Sequence, residues 1–156
     1  MAIDYTTIEN DLLISIRNDM RTDSALLVLL NITAPNAHNY IFSDRPANQQ
    51  SSFQNPRIII DSADYNPNNI GNNREGFHKD TFDFQISVWV DENPVQNVKN
   101  IISRLRILFD RKQYTAVQGG NIELDVTRTN QIVDPDKEGT RMGNVLITAN
   151  ILQKVI

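Results

Sequence analysis

The segment 122–127, IELDVT, sets two carboxylates, Glu123 and Asp125, two residues apart, which on a strand puts them on one face. Such a pair can divide acid and base roles when its surroundings push the two pKa values apart. No pocket signal accompanies it, and a solvated strand face is the simpler reading. The two histidines, His38 and His78, stand in Asn-rich stretches, and neither has a second histidine or a carboxylate at metal-ligand spacing. Asp80 lies near His78 and reads as its surface partner. DPDKEG at 134–139 lacks the spaced carboxylates and the bidentate glutamate of a calcium loop, so Pro and Gly there make a hairpin turn. GNNREG at 71–76 has no GK[ST] and leads into a strand, unlike a phosphate loop. There is no G-x-S-x-G elbow. There is also no cysteine, hence no disulfide, thiolate zinc site or cysteine nucleophile. The expectation is a protein with no catalytic residues, no cofactor and no metal, and so not an enzyme.

The elements that would carry these residues are legible from periodicity. Ile8, Leu12, Leu13 and Ile16 share a helical face, and Thr6 with Glu9 has the spacing of a capping box. A second short helix starts at Asp23 or Ser24 and carries ALLVLL, apolar nearly all round and so expected to be buried. NYIFSDRP at 39–46 is a short strand candidate. RIIIDS at 57–62 fits a strand buried on both faces. In DTFDFQISVWVD, 80–91, every second residue from Phe82 to Val90 is apolar and the others are polar up to Trp89, the chain's only tryptophan. A helix follows, with Asn93 as N-cap, Pro94 at its first position and a stripe of Val95, Val98, Ile101, Ile102, Leu105 and Leu108. Lys99, Arg104 and Arg106 fall outside the stripe and read as a solvated face. Ile122, Leu124 and Val126 alternate inward, as do Val145, Ile147, Ala149 and Ile151 of the last strand.

The order α-α-β-β-loop-β-α-β-loop-β predicts an α+β fold. It is a single domain over 1–156, with a mostly antiparallel four- to five-stranded sheet and the helices packed on one face. Long polar loops are expected at 63–79 and 128–143. At 156 residues, 40% of them hydrophobic, the chain can bury a core without staples. A net charge of −4 and a pI near 5.1 argue against wrapping nucleic acid, which requires neutralising phosphates. No signal peptide and no apolar run near the ~20 residues of a spanning helix are visible, so a soluble protein made in the cytoplasm and free of membrane is expected.

SDRP, NPRIIID, SVWVDE followed by the NPVQNVKNIISRLRILFD helix, and TRTNQIVDPDKEGTRMGNVLITANI, taken in this order, resemble the tail-terminator (tail-completion) proteins of long-tailed bacteriophages and related contractile injection systems. The resemblance implies a structural virion protein at the tail or neck. It would form a ring, hexameric in the family, on the end of the tail tube. There it would stop tube polymerisation and offer a surface to the head-side connector. DNA would pass its lumen without specific binding, which an acidic balance suits. Within that reading the two loops contact the tube, and Trp89, Arg74, Lys79, Arg128, Asp134, Lys137 and Arg141 are the candidate interface residues. Trp is enriched at binding hot spots, while rim charges contribute little each. The neighbouring reading is another neck component, such as a head-completion or adaptor protein. From a different class comes a small enzyme built on scattered carboxylates.

Overall fold

The computed structural model describes residues 5–43, 56–66, 77–91, 97–115, 121–133 and 140–154. Helix α1 spans Tyr5–Thr22 and α2 spans Ser24–Leu30, followed by a 3-10 turn over Ala34–Asn39. The strands are β1 (Ile41–Phe42), β2 (Arg57–Asn66), β3 (Phe77–Asp91), β4 (Gln113–Thr115), β5 (Asn121–Val133) and β6 (Thr140–Lys154), with α3 (Val98–Phe109) between β3 and β4. They form one six-stranded sheet in the order β1-β2-β3-β6-β5-β4. Only β1 and β2 run parallel; every other pair is antiparallel.

The alternation in β3 sets which face is dry. Phe82, Phe84, Ile86, Val88 and Val90 are all buried, and the rings of Phe82 and Phe84 stack with centroids 5.8 Å apart. Register places Val145, Ile147 and Ala149 of β6 beside them, then Leu124 of β5 beyond. α1 (Ile8, Leu12, Leu13, Ile16, Met20), α2 and α3 (Val98, Ile101, Ile102, Leu105, Phe109) bury their stripes in the same core cluster. Each fully buried aliphatic or aromatic side chain there contributes ~1.5–3 kcal/mol. Gly143 sits on this face, paired with Val88. A Cβ on it would overlap Cδ1 of Ile102, so the glycine lets α3 approach β6.

Several expectations need correction. The sheet has six strands, because β1 and β4 contribute two and three residues, too few to show a period. α1 already includes Tyr5 and Thr6, so Thr6 is not an N-cap. For α3 the cap is Asn97, whose carboxamide accepts the Lys99 amide at 2.9 Å; positions 93–96 lie outside the described residues. α2 is not buried all round: Val28 is 75% exposed. The expected loops begin and end as strand. β2 continues to Asn66 and β3 starts at Phe77; β5 runs to Val133 and β6 starts at Thr140. In β5 this arm is exposed at Arg128, Thr129 and Gln131, so no apolar alternation marks it as strand. The remainder of both loops lies outside the described residues.

Candidate functional site

The second face of the sheet, away from the helices, holds the residues the core does not use. Its rows follow from register. At one end Arg57, Trp89 and Met142 lie side by side on β2, β3 and β6. The Arg57 guanidinium carbon is 4.5 Å from the centroid of the Trp89 ring, a cation–π contact that covers part of a side chain left half-buried. Such a contact is worth about 0.5–1 kcal/mol where solvent reaches it.

The next row is Ile59, Ser87, Asn144 and Asn130. Ile59 is only 3% exposed yet stands apart from the core cluster, so RIIID is buried on both faces as expected of it. The Ser87 hydroxyl accepts a hydrogen bond from the Gln85 amide at 2.8 Å. Asn144 is also buried, and its Oδ1 has no hydrogen-bond partner among the described residues. A buried acceptor left unmet costs about 1–3 kcal/mol.

The other end of this face is acidic. Thr148 lies between Asp83 and Asp125, and its hydroxyl donates to Asp83 at 2.6 Å. The Asn150 amide donates to Asp125 at 2.9 Å. Arg111 has a left-handed backbone (φ 65°), uncommon for a non-glycine residue, and reaches both Glu123 (3.4 Å) and Asp125 (3.8 Å). The Gln113 amide adds a 3.3 Å bond to Glu123. Gln113, Glu123, Asp125 and Asn150, with Asn121, Ile122 and Leu152, line an open concavity of about 450 Å³. The two carboxylates are thus held in a polar network with a shared cation.

The charged face of α3 divides differently from expectation. Arg104 is committed to a contact with α2's cap: its Nε and terminal nitrogen donate to Asp23 at 2.8 and 2.6 Å. Asp23 also accepts the Leu26 amide as N-cap of α2. The Arg104 hydrogen bonds hold the Asp23 carboxyl below the usual aspartate range, with the Leu26 amide helping against the penalty of burial. Arg104 is raised in turn by the same contact. The Tyr114 phenol of β4 donates to Asp19 of α1 at 2.5 Å, and burial with that bond pushes its pKa well up.

The candidate interface residues are not gathered in one place. Trp89 and Arg128 share the second face, on β3 and β5; Arg128 is exposed and donates to Asn130 at 3.2 Å. Arg141 stands between Val90 and Val133 in register, on the helix side of the sheet, and is half-buried. Lys79 and His78 belong to β3, and nothing of their side chains is described. Arg74, Asp134 and Lys137 lie outside the described residues. His38 is exposed in the 3-10 turn. Sequence reasoning missed Arg57, Met142 and Asn144. Only register brings them beside Trp89 and Ser87.

No family model matches the chain, and no curated protein sequence matches it. The fold is shared with a solved structure. A chain from the virion of a native gene transfer agent particle aligns at a TM-score of 0.70 and 13% identity. The alignment covers 96% of this chain and 100% of that one. A second solved structure aligns over 90% of this chain and 94% of its own, at 13% identity and a TM-score of 0.48, too distant to carry an argument.

Proposed function

We propose that this protein is a structural component of a virion, a tail terminator. In this reading it forms a ring on the end of a tail tube, stops tube growth and presents the head-side joining surface. One observation carries the proposal: a virion chain has this fold from end to end, with nothing of that chain left uncovered. SDRP, SVWVDE and 127–151, taken in chain order, add the tail-terminator resemblance. In this reading the role is structural rather than catalytic: the carboxylates of the second face are held by Arg111, Asn150 and Thr148 as part of a surface. The acidic end of that face suits a surface past which DNA slides.

The test is to measure the mass in solution, then add purified tail tubes and image the mixture. Binding at one tube end, with tube growth halted, is the expected result. Binding along the tube wall, or at neither end, overturns the proposal. Binding to connector-bearing heads instead points to another neck component.

A further inference from the structure

Among the described residues, each side of the sheet is covered over only half its length. β4 covers β5 at 121–123, and β1 covers β2 at Ile58 and Ile59. Next to β4, the outward backbone of β5 is used: Leu124 donates to the Lys112 carbonyl at 2.9 Å, and Val126 donates to Asp110 at 3.2 Å. A register shift between Val126 and Arg128 follows. Thr129 and Gln131 then stand opposite Val145 and Gly143, whose own backbone groups face β3 by the alternation of an antiparallel ladder. The N–H and C=O of Thr129 and Gln131 therefore point away from β6. Both residues are exposed, and among the described residues no strand takes those groups. The stretch 129–133, TNQIV, has no charge and no proline, the usual guards of an edge.

On the opposite side, Ile58 donates outward to the Tyr40 carbonyl at 2.8 Å, which fixes the alternation of β2. Ser62 and Tyr65, opposite Phe84 and Phe82, thus also turn their backbone outward. No strand among the described residues pairs with them.

We propose that the open half of β5 in one copy pairs antiparallel with the open half of β2 in the next, joining copies head to tail into one closed sheet. The inference rests on the ring reading and names the contact that closes the ring. Direction permits it, since β2 and β5 run opposite ways through the antiparallel β2-β3-β6-β5 centre. Rotation about a ring axis preserves that relation.

The offset permits it as well. Gln131 is level with Val88 of β3, whereas the open part of β2 is level with Phe82 and Phe84, about five residues or ~17 Å lower. Four strands are ~19 Å wide, so meeting edges would lean the strands by about 40°, inside the range that closed barrels adopt. The same shift keeps the short strands apart: β1 of the next copy would stand past Val133, and β4 past the end of its β2. That stagger gives a reason for each short strand to cover only half an edge.

Amide hydrogen exchange on the assembled protein, compared with dilute monomer, tests this directly. Thr129 and Gln131 amides should gain at least tenfold protection on assembly. Gln131→Pro removes an outward donor without breaking a bond to β6. It should leave a folded monomer, checked by its unfolding transition, that no longer forms the oligomer. Should that variant not fold, exchange in the unmodified chain decides. If the chain assembles while both amides exchange as in the monomer, edge pairing is overturned and the ring reading stands. If it assembles neither in solution nor on tail tubes, both fall.

Discussion

Strand β3 has one face that is uniform and another that changes character along its length. Inward, Phe82 to Val90 lie under three helices, dry and closely packed. Outward, Asp83, Gln85, Ser87 and Trp89 alternate with them, yet range from exposed to fully buried. The inner face is uniform because each residue there answers to one demand, exclusion from water. The outer face is graded along the strand, from an acidic network at Asp83 to a cation–π pair at Trp89, because its neighbours on β2, β6 and β5 change row by row. A face that only had to be wet would need neither a tryptophan nor a buried Ile59.

The sharpest way to separate the faces is to empty the inner one. Phe84→Ala should cost about 3–5 kcal/mol, read from denaturant unfolding, because a ring 2% exposed leaves a cavity between strand and helices. A cost near 1 kcal/mol would mean that the helices collapse onto the gap and the inner face is not the rigid side.

Next in size is the strut that holds the helices over that face. Asp23→Asn keeps an N-cap acceptor but removes the charge opposite Arg104, and about 1 kcal/mol should be lost at neutral pH. The sign of its pH dependence follows from the direction of the shift. The folded carboxyl titrates below the ordinary value of 3.8. Its stabilisation is therefore complete above that value and disappears as pH falls through the lower folded one. The gap between wild type and Asp23→Asn, measured by thermal unfolding, should be constant from pH 5 to 7 and close below about pH 4.

Legibility in sequence divides along the same line. The inner face is written in periods of two and 3.6, so Phe82, Ile101 and Ile147 could be placed in the core from their own segments. The outer face depends on which residue of one strand lies beside which of another. Arg57 and Trp89 are 32 positions apart, and no local pattern joins them. The cap of α3 was misread for a related reason. Asn93-Pro94 offers a stronger local signal than Asn97, but α3 begins at Val98, a core residue, with Asn97 as its cap. The arms of the β2–β3 and β5–β6 hairpins escaped notice because strand there is held by ladder bonds, not by a buried stripe.

Trp89→Ala brings the comparison to the outer face. Loss of a half-buried ring and of its Arg57 contact should lower stability by about 1–2 kcal/mol, less than Phe84→Ala. If this face meets a partner, assembly should suffer more than folding, since truncating a tryptophan anchor often costs 2 kcal/mol or more of binding. Sedimentation and chemical unfolding on the same samples distinguish the two. Equal losses would make Trp89 an ordinary packing residue.

The smallest effect is expected at the acidic end. Asp83 is exposed, and its bond from Thr148, though only 2.6 Å long, competes with water at every instant. Asp83→Asn keeps an acceptor in place and removes one of three nearby carboxylates, so stability should change by no more than about 0.5 kcal/mol in either direction. That near-silence is the informative outcome. A residue that folding does not need, set in a row with Thr148 and Asp125, answers to something other than stability. A stability loss as large as that of Asp23→Asn would instead make the acidic network a structural brace. The outer face would then answer, like the inner one, chiefly to the fold.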